Sequence, residues 1–290
     1  MFYAKAQGRN QFCLASDVVH GTDSEASLRL QNRLASAIRQ NRIEAWYQPL
    51  IDAQSGACVG AEVLARWRDE GHGWVSPATF IPMAESLGLI GELGEDIWLQ
   101  ALDALQGWRA EGQALYIAVN VSKRQLFASY LSERLWDQLQ RRGLSPADVV
   151  LEVTESVATQ DAAHTVEQLR ALRRAGFRIA VDDFGTGYAS LSQLHELPVD
   201  ELKIDMSFVR RLHERSGRSM VEAILHIAYA LDLKTVAEGV EDAATAQSLM
   251  ALGVDTLQGY HFAKPMPREE FTRWLESNRR THQRVRLAAG

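Results

Sequence analysis

The chain has 290 residues, 46% of them hydrophobic and 23% charged, with 31 Lys+Arg against 37 Asp+Glu and a formal net charge of −6. That is enough chain for one large domain with a real core, it excludes disordered and collagen-like classes, and its acidic balance argues against gripping polymeric nucleic acid. No apolar run reaches the roughly 20 residues of a membrane span, there is no signal-peptide core, and Cys13 and Cys58 make neither a disulfide scaffold nor a C-x-x-C site, so a cytoplasmic chain with two free thiols and no membrane contact is expected.

The first 24 residues, with the turn-rich Gly8-Arg9-Asn10 and Gly21-Thr22-Asp23-Ser24, read as a tail and linker. A helix is expected after Asp23 or Ser24, carrying Leu30, Leu34 and Ile38 at i, i+4 spacing. Apolar, β-branched runs at 45–51 and 59–64 read as strands. Ser76 before Pro77 has the form of a helix start, and Trp98, Leu102 and Leu105 follow on one face of a helix that stops near Gly112. Further strands are expected at 116–121, 149–153, 177–181, 201–204, 235–237 and 256–262. Gly176 and Gly253 stand just before two of them, where a left-handed C-cap belongs. After Glu276 the sequence is basic and non-periodic, so 278–290 is expected to be frayed or solvated, with 281–290 a C-terminal tail. Eight strands with intervening helices predict an α/β fold, a (β/α)8 TIM-type barrel over residues 25–280. An open nucleotide-binding sheet fits less well, because Gly185-Thr186-Gly187-Tyr188 lacks the third glycine of a dinucleotide fingerprint and no G-x-x-x-x-G-K occurs.

In such a barrel, polar groups at the C-terminal ends of the strands project into the mouth. Glu62, Asn120, Glu152, Asp182, Asp183, Lys203, Glu238 and Gln258 fall at or near those ends on seven strands. Five of them are carboxylates, and five converging in one mouth would repel strongly unless cations balance them. An all-oxygen set with one Asn amide suits Mg²⁺ or Mn²⁺, and no His spacing suggests zinc. One magnesium ion takes fewer carboxylates than this, so two metals sharing a bridging Asp is the economical arrangement, as in phosphoester hydrolysis. Lys203 there could orient a water or stabilise developing phosphate charge.

At these residues the sequence resembles the EAL-domain phosphodiesterases of cyclic di-GMP, over nearly all of residues 26–280. The resemblance rests on Tyr47-Gln48-Pro49-Leu50, on Ala61-Glu62-Val63-Leu64-Ala65-Arg66-Trp67, on Ala118-Val119-Asn120-Val121-Ser122 with Gln125-Leu126, and on Leu151-Glu152-Val153-Thr154-Glu155-Ser156. It continues through Val181-Asp182-Asp183-Phe184-Gly185-Thr186-Gly187-Tyr188, Leu202-Lys203-Ile204-Asp205, Val236-Ala237-Glu238-Gly239-Val240-Glu241 and Gln258-Gly259-Tyr260-His261-Phe262-Ala263-Lys264-Pro265. It implies an antiparallel first strand and hydrolysis of cyclic di-GMP to linear pGpG. It implies metal ligation by Glu62, Asn120, Glu152, Asp182 (the bridge) and Asp183, with Glu238 a ligand or water-positioning base and Lys203 a contact to the attacking water. Gln48, Leu64, Arg66, Asp205, Glu241, Gln258 and Tyr260 stand at positions similar to substrate contacts, Arg66 suiting the non-reacting phosphate. Residues Phe184, Gly185, Thr186, Gly187 and Tyr188 correspond to a loop that couples metal binding to dimer contacts, held by Glu155. Calcium is expected to support binding without efficient turnover, because its loose coordination misplaces the water.

The signature carries Val63 where Ala is usual; in a strand that side chain faces away from the mouth, so only outer packing should change. Ala189 stands where Ser is frequent, with no chemical consequence. Of Tyr260 and Phe262, the first is expected to face substrate and the second to fill the barrel. Residues 1–12 resemble the last helix and turn of a GGDEF diguanylate cyclase domain, so residues 1–24 read as its remnant plus linker and the chain as part of a tandem GGDEF–EAL protein. Two other readings remain at this point: a non-catalytic cyclic di-GMP receptor, and an allosteric scaffold that uses the loop at 185–191 as a dimer face.

Overall fold

The computed structural model describes residues 22–128, 131–159, 162–187 and 191–289. The GGDEF-like stretch at 1–12, Cys13 and Tyr188 therefore lie outside the described residues. Helix α1 (Thr22–Arg39) leads into β1 (Ile43–Asp52) and β2 (Cys58–Asp69), which turns back as a hairpin into β3 (Gly73–Val75). Helices α2 (Pro77–Ser86) and α3 (Ile90–Ala110) precede β4 (Tyr116–Asn120); α4 (Lys123–Leu126) and α5 (Leu131–Arg141) precede β5 (Val149–Thr154). Then come α6 (Glu155–Thr159), α7 (Ala162–Arg174), β6 (Arg178–Phe184), α8 (Leu191–Glu196) and β7 (Glu201–Ile204). The chain closes with α9 (Met206–Val209), α10 (Arg215–Ala230), β8 (Lys234–Ala237), α11 (Ala243–Leu252), β9 (Thr256–Leu257), β10 (Met266–Pro267) and α12 (Arg268–Ala289).

Strands β2, β4, β5, β6, β7, β8 and β9 pair in parallel in that order. β1 closes the ring, antiparallel to both β2 and β9. This is the expected eight-stranded barrel with its antiparallel first strand. The strand expected at 256–262 stops at Leu257, because residues 259–263 form a turn in which Phe262 and Ala263 N–H both donate to Gly259 O; Gln258 thus follows β9 rather than lying in it. The expected helix to Gly112 is two helices. Leu87 ends α2 and Gly88, at φ +75, turns the chain into α3, a conformation that costs glycine least. Gly176 and Gly253 take left-handed φ values of 97 and 91, as expected at C-caps. The basic stretch after Glu276 continues α12 to Ala289, so its backbone is helical rather than frayed.

The side-chain alternation of each strand separates two cores. Ala61, Val63, Ile117, Val119, Leu151 and Val181 point outward into one apolar cluster with the helices, where Leu34, Ile38, Leu102 and Leu105 bury their stripes. Val63 is therefore in the outer layer, as its strand position demanded. Inside the barrel, Leu50, Ala118, Val150, Ala180 and Val236 make a small apolar floor. Each floor residue stands two positions from a polar residue on the same strand or just past its end: Gln48, Asn120, Glu152, Asp182 and, one residue beyond β8, Glu238. With a side-chain period of two, the strands that build a dry floor must aim those polar groups into the mouth above it. Cys58 is a free thiol that burial pushes up to about 12, which leaves it unreactive. No helix among the described residues is long and apolar enough to cross a membrane.

Candidate active site

Lys203 is the hub of the mouth. Its side chain is 1% exposed, and Nζ lies 2.7 Å from Glu238 Oε1, 2.9 Å from Glu152 Oε1, 3.1 Å from Asp182 Oδ1 and 3.6 Å from Glu62 Oε1. Burial alone would discharge an ammonium, but Glu152, Glu62, Glu238 and Asp182 outweigh it and hold Lys203 well above its ordinary value. The carboxylates show the opposite side of the same balance. Burial drives Glu152 well above the usual range, Lys203 pulls it back, and Glu62 and Asp182 push it up again. Glu238 is raised to about 8, first by burial, against the pull of Lys203 and with Asp182 and Glu62 adding. Asp183 is raised by burial, then by Asp182 and Asp205.

The oxygen donors form two groups. Asn120 Nδ2 donates to Glu62 Oε1 at 3.3 Å and to Glu152 Oε2 at 3.2 Å, tying three strands together. Asp182, Asp183 and Glu238 each bring a carboxylate oxygen within 4.8 Å of the other two, a group that could hold a metal ion. Adjacent residues of a regular strand point to opposite faces, so a double Asp could not serve one site without a distortion. The β6–β7 register shifts between Val181 and Phe184, and Asp183 takes φ +56. That bulge turns both carboxylates toward Glu238. The loop beyond it is held by Glu155, which is buried and accepts from Gly185 N at 2.9 Å and Gly187 N at 3.1 Å. Gly187 leaves room for this contact: a Cβ there would lie 2.5 Å from Glu155 Oε1.

Compared with known families, residues 31–265 match the EAL domain. The chain belongs to the EAL domain family. This EAL barrel is 39% identical over 272 residues to the bifunctional diguanylate cyclase/cyclic di-GMP phosphodiesterase MucR of Pseudomonas aeruginosa, covering 93% of this chain and 40% of MucR. It is 36% identical over 277 residues to the cyclic di-GMP phosphodiesterase PdeR of Escherichia coli, covering 95% of this chain and 42% of PdeR. The chain thus spans well under half the length of these curated relatives. The solved structure of the PaMucR phosphodiesterase in complex with c-di-GMP superimposes with a TM-score of 0.80 at 39% identity, over 84% of this chain and 99% of that one.

The EAL mouth brings Glu62, Asn120, Glu152, Asp182, Asp183 and Glu238, the six expected ligand positions, together around Lys203. Gln258 and Gln48 are buried behind Glu62: Gln258 Nε2 donates to both Glu62 Oε2 and Gln48 Oε1, and Gln48 Nε2 donates to Ala263 O. Leu64 and Arg66 follow Glu62 up the same face of β2 and are half-buried. Tyr260 is 59% exposed, with Lys264 Nζ 5.4 Å from its ring centre, whereas Phe262 packs partly buried against the core. Asp205 caps α9 by accepting from Ser207 N at 3.0 Å, and Glu241 lies at the surface paired with Arg210 at 2.9 Å. Trp46 and Trp74 also face this mouth, and sequence reasoning missed them. Trp46 shares the inward face of β1 with Gln48, a signal the period of two offered, whereas β3, which carries Trp74, is too short to show a period.

Proposed function

We propose that this EAL barrel hydrolyses cyclic di-GMP to linear pGpG with two divalent cations, Mg²⁺ or Mn²⁺. The observation that carries the reading is the charge in the mouth: five converging carboxylates around one buried ammonium. Fully ionised, that set has a net charge of four negative, which two divalent cations would balance. Glu62, Asn120 and Glu152 would hold one ion, with the Asn120 amide turned to offer its oxygen, and Asp183 and Glu238 the other, with Asp182 shared between them. Bound there, the cations supply Lewis-acid activation of water and of a phosphoryl oxygen. Glu238 orients the attacking water, and Lys203 Nζ donates to it while keeping the carboxylates in register. Arg66 grips the second phosphate with its planar fork, and Tyr260 faces a base.

MucR and PdeR are named as cyclic di-GMP phosphodiesterases, and the MucR structure is a c-di-GMP complex. MucR is named a diguanylate cyclase as well as a phosphodiesterase, which supports reading residues 1–24 as the end of an upstream GGDEF domain. We place the protein in the cytoplasm, and as a homodimer through the loop at 184–188. The test is incubation with cyclic di-GMP and Mn²⁺, with chromatography for the linear dinucleotide. Wild type is expected to produce pGpG, and Asp183→Asn to lose at least a hundred-fold in turnover. Binding of cyclic di-GMP without product would instead make the chain a receptor. Calcium is expected to allow binding and suppress product; brisk hydrolysis in calcium alone would contradict the cation assignment.

A further inference from the structure

The mouth extends beyond the acidic cluster along β2, and its upper part is aromatic. Trp67 of β2 pairs with Ile43 of β1 on one side and with Val75 of β3 on the other, so β1 and β3 flank β2 on opposite edges. Glu62, Leu64, Arg66 and Arg68 share the face of β2 that looks into the mouth. Cross-strand partners lie on the same face: Trp46 stands opposite Leu64, and Trp74 opposite Arg68. Position 66 lies between these two pairs. The Trp46 and Trp74 rings nevertheless touch, with centroids 5.1 Å apart at 75°. They therefore meet across β2 on the mouth-facing side, over the Arg66 position.

The two indoles are not equivalent. Trp46 is half-buried and anchored, its Nε1 donating to Glu44 Oε2 at 3.0 Å. Trp74 meets it in a T-shaped contact and remains 53% exposed. On the β1 side of Arg66, just beyond β9, Tyr260 is also largely exposed and close enough to Arg66 to act on its charge. An arginine suited to a phosphate thus has an exposed aromatic surface on either side of it, while a cyclic dinucleotide carries two bases across its phosphates.

We propose that Trp74, backed by Trp46, is a stacking shelf for one purine of the dinucleotide, on the flank of Arg66 away from Tyr260, so that the site reads bases as well as phosphates. This rests on the phosphodiester-hydrolase reading of the same mouth. The substrate class it selects is a dinucleotide with a planar purine rather than any small phosphodiester.

Two measurements test it. In steady-state hydrolysis with Mn²⁺, Trp74→Ala is expected to raise KM for cyclic di-GMP about ten-fold or more, the range for one lost base stack, with kcat within about two-fold. KM for methyl p-nitrophenyl phosphate, a diester without a purine, shifts far less, and Trp74→Phe keeps most of the affinity. Independently of whether the alanine variant folds, cyclic di-GMP should quench part of the wild-type indole fluorescence, and that part should be missing in Trp74→Phe. Equal quenching in both proteins, an unchanged KM, or equal losses on both diesters overturns the shelf. Wild type that neither hydrolyses nor binds cyclic di-GMP overturns the proposed function itself.

Discussion

Lys203 shows how one side chain can be both structural and chemical. A buried ammonium is costly alone, yet the carboxylates 2.7 to 3.6 Å away keep Lys203 charged, while burial still pushes Glu152 and Glu238 toward their protonated forms. Removing one partner of such a set costs about 3–5 kcal/mol, because the others stay behind uncompensated. Lys203→Met is therefore expected to melt well below wild type without metal. Mg²⁺ or Mn²⁺ should restore part of the loss, giving a larger cation-induced Tm shift than in wild type. A melt that matches wild type in the absence of metal would contradict this balance. The residue types here were legible from their places at strand ends. The lysine's central position was not, because it depends on distances between strands far apart in the chain.

At the scale of elements, the β2–β3 hairpin carries both Trp74 and the turn that shapes the rim of the mouth. Asp69 is buried, accepts from Gly71 N and His72 N, and lies 3.1 Å from His72 Nδ1 and 3.2 Å from Arg33 Nε, with which it forms an ion pair. Burial pushes its carboxyl up, but His72, Gly71 and Arg33 outweigh this and hold it below the ordinary value of 3.8. A depressed carboxyl stabilises the fold above its unfolded value, and that contribution is lost as pH falls through the lower folded value. Acid melts below about pH 4 should thus show a steeper loss for wild type than for Asp69→Asn. The variant should already be less stable at neutral pH. Parallel curves would remove Asp69 from the account. Sequence periodicity could not have located this hairpin, since Gly73–Val75 spans barely one alternation. The break at Gly88 was hidden for a similar reason, as one glycine in a helical pattern is ambiguous until its φ is known.

For the whole molecule, closure of the barrel depends on β1, the strand that runs against the others. α12 covers its outer face: Phe271 is fully buried, with its ring centre 4.9 Å from Trp108 and 6.0 Å from Tyr47, which itself lies 5.1 Å from Trp108. Trp108 Nε1 also donates to Thr272 Oγ1 at 2.9 Å, so the aromatic knot has a polar pin. Phe271→Ala should cost about 3–5 kcal/mol in urea unfolding, the range for emptying a large aromatic site. Because β1 also positions Gln48 and Trp46, activity should fall in parallel with stability. A loss under 1 kcal/mol would show that α12 is not what holds β1 in place.

The sequence alone determined the alternation of strands and helices, the outward and inward faces of each strand, and the acidic and amide residues at the strand tops. These are local properties, set by a period of two or 3.6 residues and by the residue at each position. The antiparallel first strand came from family resemblance, not from periodicity. Tertiary structure decided the rest: the bulge that turns Asp182 and Asp183 to one side, the amides that link Glu62 across strands, and the two tryptophans that meet over β2. Each depends on register between segments tens to hundreds of residues apart, and register is settled only when the barrel closes.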